Sequence, residues 1–155
     1  MESHKLEPID RRVLSVPAGK THAIVTEHNV YSCPESHPPH DVSVNAFAPR
    51  NEHGRIPRLY RIAARIVTNP KTPTFPPTFD PEHAQNITSY ISVARLREGI
   101  LDDGGNYRFY ILSDIEQGGL KHAPRLEPPG ASHVYLSLKE LVKGSPVVHA
   151  IGTCK

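Results

Sequence analysis

Sixteen prolines spread through 155 residues constrain this chain more than any other feature. That is about twice ordinary usage. Each proline fixes its own φ, lacks an N–H, and pushes the residue before it out of the α region. Elements must therefore be short and connections long and ordered. A helical bundle is excluded on this ground. Four prolines fall between Thr68 and Phe79 (Pro70, Pro73, Pro76 and Pro77), which reads as an extended, semi-rigid loop. Three more, Pro34, Pro38 and Pro39, place Cys33–His40 in a loop.

Between these breaks the hydrophobic pattern supplies the elements. Arg58–Val67 alternates Tyr60, Ile62, Ala64 and Ile66 against Leu59, Arg61, Ala63, Arg65 and Val67. This is a strand with one apolar face turned to the core and one partly wet face. Asp80-Pro81-Glu82 opens a helix, with Asp as N-cap and Pro at the first position, and Gly99 stops it. Ser137-Leu138-Lys139-Glu140 fits a capping box for a second, short helix ending at Gly144. Further strands are expected at His22–Thr26, Asn29–Ser32, Val42–Phe47 with a break at Ala48-Pro49, Tyr107–Leu112, His133–Leu136 and Val147–Ile151. Asp114–Gly130 reads as loop. The expected class is α+β: a small, mostly antiparallel sheet or open barrel with two helices and Pro-rich loops. The length fits a single domain over 1–155, with 1–18 a polar N-terminal arm or edge strand.

Neither the opening residues nor any apolar run suits a signal peptide or a bilayer span, and there are only two cysteines, Cys33 and Cys154. The reading is a cytoplasmic protein with no membrane partner. Net charge is +2, from 18 basic and 16 acidic side chains, and predicts no partner by itself. Its distribution is more informative. Arg50, Arg55, Arg58, Arg61, Arg65 and Lys71 are opposed only by Glu52 within their stretch.

Motifs for catalysis are weak. Gly19-Lys20-Thr21 ends like a phosphate-binding loop, but the glycine required five positions earlier is Leu14, and the following residues read as a strand. No cofactor is expected. Cys33, His37 and His40 offer zinc-type ligands from one loop, at a spacing unlike paired metal knuckles. Asp102, Asp103, Asp114 and Glu116 flank the Tyr107 strand, but the Asp/Glu-x-Lys signature of metal-dependent nucleases is missing. What remains is a set of strand arginines, Arg58, Arg61, Arg65 and Arg108, beside Tyr60, Tyr107, Phe109 and Tyr110. Guanidinium forks bind phosphates and aromatic rings stack on unpaired bases. Alternation puts Arg61 and Arg65 on one strand face.

The order of elements resembles the small barrel modules of the pseudouridine-synthase-and-archaeosine-transglycosylase type. The resemblance lies in a strand-rich N-terminal half, a basic central strand at Leu59-Tyr60-Arg61-Ile62, and a late strand feeding a short helix at Tyr135-Leu136-Ser137-Leu138. It implies a nucleic-acid-binding module without catalytic activity, reading single-stranded or modified bases. Two other classes stand beside it: a hydrolytic or metal-dependent enzyme using His and Asp, and a protein-interaction subunit whose Pro-rich loops meet a protein partner.

Two outcomes are expected from the motifs. Calorimetric titration with ATP gives no heat above dilution, and tight binding lost in Lys20→Ala would show the loop to be functional. Chelation leaves the melting temperature unchanged, because a chain of this length buries a sufficient core without a metal. A large drop, with zinc in the untreated protein, would place a metal in the Cys33–His40 loop.

Overall fold

The computed structural model describes residues 12–19, 21–36, 44–127 and 133–153. They form two compact units. The first holds the described parts of 1–22, 38–62 and 113–155, and the second those of 23–37 and 63–112. The class is α+β, with a mixed, mostly antiparallel sheet, a two-stranded sheet and three helices.

In the first unit, strand β1 (Arg12–Gly19) is paired on both sides. It runs parallel to β3 (Ala46–Asn51) and antiparallel to β7 (Val134–Ser137). The arm or edge strand expected here is therefore an interior strand over 12–19, and 1–11 lie outside the described residues. Val13, Leu14, Ser15 and Val16 are all buried, as suits a strand covered on both faces. Ser15 is fully buried because its hydroxyl donates to the Ala48 carbonyl at 2.8 Å.

Two prolines interrupt neither strand. The β1–β7 register ends at Ser15, so Pro17 lies beyond that ladder. The β3–β4 register ends at Phe47, where β4 (Arg58–Thr68) leaves, so Pro49 also has a partner on one side only. A missing N–H is tolerated where no second ladder needs it. The expected break at Ala48-Pro49 is thus corrected: the strand runs through it. Of the residues expected to begin that strand, Val42 and Ser43 lie outside the described set.

Beneath these strands, Val13, Leu59, Leu126, Leu136 and Val148 pack together with Leu141 of α3 (Leu138–Val142). Ser137 caps α3, its hydroxyl accepting from the Glu140 N–H at 3.5 Å. The short strands β6 (Arg125–Glu127) and β8 (Val147–His149) pair in parallel, and β9 (Gly152–Thr153) pairs antiparallel with β7.

The second unit sets β2 (Val30–Pro34) antiparallel to β5 (Tyr107–Gly119), with β4 next in the order. Cys33 and Pro34, expected in a loop, end β2, which has a neighbour on one side only and so accommodates proline. Strand β5 continues to Gly119, past the loop expected from Asp114. The long helix α2 (Pro81–Glu98) follows its sequence signals. Asp80 Oδ1 accepts from the Glu82 N–H at 2.8 Å, and Gly99 closes the helix at φ 64° with its N–H on the Arg95 carbonyl. Tyr90 anchors α2. It is 2% exposed, exchanges a 2.8 Å hydrogen bond with Ser32, and meets Phe109 edge-on. Burial pushes its phenol up to about 12.

The remaining correction is α1 (His22–His28), expected as a strand. Ile24 and Val25 are buried on it, and Asn29 closes it at φ 56°, a conformation asparagine tolerates better than most residues.

Gly118 marks a tight contact within the first unit. A Cβ there would lie 2.7 Å from the Leu59 carbonyl oxygen and 2.8 Å from that of Ile115. Both are backbone atoms, so one strand must shift. Gly118→Ala should cost about 1–3 kcal/mol by denaturant unfolding. Gly119→Ala, whose Cβ would first meet the flexible Arg58 guanidinium at 3.5 Å, is the tolerated control. Equal stability of Gly118→Ala and the parent would show that the contact is not tight.

Candidate functional site

The structure does not treat the basic stretch as one charged surface. Arg50 is 1% exposed and lines a cleft of about 340 Å³ with Pro17, Gly19, Asn51 and His53. Arg55, Arg58 and Lys71 are exposed, while Arg61 and Arg65 are half-buried. Burial of Arg50 was not visible in the sequence, since it follows Pro49 at what looked like a strand end.

The four strand arginines divide between the units. In the first, Arg58 pairs with Asp114 at 3.8 Å, and Arg61 sits opposite Ala46 in the β3–β4 register. Three residues apart on one strand, the two point to opposite faces. In the second unit Arg65 and Arg108 come together. Arg108 and Tyr110 alternate to the same face of β5, opposite Cys33 and Tyr31 of β2. The intervening Phe109, and Ser32 across from it, face Tyr90 of α2. The arginines therefore occupy the sheet face away from α2. Arg65 stands over the Tyr110 ring, 5.8 Å from its centroid. Arg108 donates to the Tyr110 phenol, approaches Cys33 Sγ at 3.8 Å, and donates to the Glu35 carbonyl at 3.0 Å.

The titration behaviour of this face follows its burial. Burial pushes the Cys33 thiol up, and the Arg108 cation only partly offsets that. The thiol is thus poorly suited to nucleophilic work. Burial likewise raises Tyr110, as does Cys33 nearby, while Arg108 and Arg65 pull it back down.

The aromatic residues do not serve as a stacking platform. Tyr60, Phe109 and Tyr110 are 3%, 0% and 2% exposed, and Tyr31 stacks on Tyr110 within the protein. They are core. Tyr107 is half-buried and donates to Asp103 at 3.2 Å.

The other motifs separate. Cys33 is buried, whereas His37 and His40 lie outside the described residues. Among the described residues no His, Cys, Asp and Glu side chains gather in a group that could hold a metal. Asp102 instead takes Arg95 at 2.8 Å, and Asp103 caps its own turn through the Gly105 N–H. Gly19 and Thr21 do lead into a helix rather than a strand, but Thr21 Oγ1 donates back to the Ala18 carbonyl at 2.6 Å. Leu14 is buried in β1, so no glycine loop forms there. Among the described residues no helix is long and apolar enough to cross a membrane.

No protein-family model matches this sequence, and no curated protein matches it. Among solved structures the chain is similar to a mutant of ZmASCH from Zymomonas mobilis. The identity is 14% and the TM-score 0.45, covering 86% of this chain and 94% of that chain. Likeness at this level assigns neither family nor function.

Proposed function

We propose that the protein binds nucleic acid by holding phosphate groups on guanidinium side chains, with Arg65 and Arg108 as one contact. The observation that carries this reading is their convergence on Tyr110 from two different strands. Both guanidinium groups remain partly accessible, and the tyrosine beneath limits their rotamers. A guanidinium fixed in this way loses less freedom when it takes a phosphate fork-to-fork. Arg58 and Arg61 supply contacts of the first unit. Because the aromatic rings are buried, the element read is the phosphate backbone rather than the base, and binding depends little on sequence.

The test is titration of single-stranded oligonucleotides of different sequence over a salt series. Arg65→Ala with Arg108→Ala should weaken every sequence similarly and lower the slope of log affinity against log salt by about 1.4–1.8 units, for two single-strand or duplex contacts. The double Lys variant should recover part of the slope, and circular dichroism checks folding. Unchanged affinity and slope in a folded Ala variant would remove the main support for this reading.

A further inference from the structure

A second pair of arginines lies on a ribbon of the first unit. Residues 54–59 and 118–126 run antiparallel. The Leu126 N–H donates to the Gly54 carbonyl, Ile56 to Pro124, and Leu120 to Pro57, at 3.1, 2.9 and 2.8 Å. Within it Arg55 and Arg125 are direct bridge partners. Partners in such a bridge project to the same side with Cβ atoms about 4.5–5.5 Å apart. Ile56 and Leu126, their chain neighbours, are fully buried, so both arginines point outward, and both are exposed.

Like charges placed directly opposite one another destabilise a sheet. Neither side chain is needed beneath, where the packing is apolar. Arg125 is offset by Glu127, 3.4 Å away on the same strand. Arg55 donates to the neutral Ala123 carbonyl at 3.1 Å, and among the described residues it has no carboxylate partner. That contact uses one of its five N–H donors and leaves a fork directed outward.

We infer that Arg55 and Arg125 form a clamp for a phosphate group. An oxyanion between them removes the repulsion and receives two planar forks, the geometry that suits phosphate best. The source is either a phosphodiester of a nucleic-acid strand or free phosphate. Only the first of these rests on the function proposed above.

Arg55→Gln with Arg125→Gln keeps the side-chain stems and removes the charge. Without ligand, this variant should melt at or above the parent temperature, because the repulsion is gone. Two arms then read the clamp. In the first, melting is followed in sodium phosphate and in sodium chloride at matched ionic strength and pH. Phosphate stabilises proteins generally by exclusion from their surface, so the quantity read is the difference between parent and variant. The parent should gain more than the variant. In the second arm, the salt slope for a single-stranded oligonucleotide should fall by about 1.4 units for the two lost contacts.

A change in the oligonucleotide arm identifies a phosphodiester. A change in the phosphate arm alone, with a parent that binds no oligonucleotide, identifies free phosphate; the clamp stands and the nucleic-acid reading falls. If parent and variant agree in both arms, the clamp is overturned. The Arg65→Ala, Arg108→Ala variant then decides the wider function separately.

Discussion

A strand buried on both faces sets the first unit. Strand β1 hydrogen-bonds β3 on one side and β7 on the other, so its own side chains must satisfy the interior above and below. Val13, Leu14 and Val16 do so with hydrocarbon, and Ser15 does so by giving its one donor to Ala48. A polar residue without that acceptor would cost about 1–3 kcal/mol here. The prolines are confined by the same requirement. Pro17 and Pro49 are direct partners of neither β7 nor β4, because both ladders end before them.

This arrangement also explains what was legible in the sequence. Helix α2 could be read because its ends are written locally: Asp80, Pro81 and Gly99 each satisfy or avoid a backbone group within their own turn. β1 was obscured because Pro17 suggests an edge, and its tolerance depends on where strands far along the chain stop pairing. Ile24 and Val25 favour strands by propensity, yet in α1 their burial outweighs a preference worth tenths of a kcal/mol per residue. The continuation of β5 beyond Asp114 was hidden by Gly118-Gly119, where the first glycine allows close approach of backbone rather than a turn.

The candidate site was legible as a list of cations but not as a geometry. Arg58, Arg61, Arg65 and Arg108 are all on strands as expected, but alternation cannot show that Arg65 and Arg108 meet at one tyrosine. Nor can it show that Arg50, one residue beyond a proline, is enclosed while Arg55 is outside. The pairing of Arg55 with Arg125 joins distant parts of the chain and leaves no periodic trace. Aromatic residues beside arginine carry the opposite ambiguity: the same pattern describes a base platform or a core, and burial selects the core.

Cys33 illustrates how one buried position can report on its surroundings. Its thiol is 3% exposed, lies in a strand that pairs on one side, and is held by Arg108. A reagent reaches the sulfur only when the end of β2 separates from β5. The rate of thiol modification is then governed by how often that strand opens, not by the intrinsic chemistry of cysteine. The buried sulfur thus makes the stability of the second unit's edge measurable as a rate under native conditions.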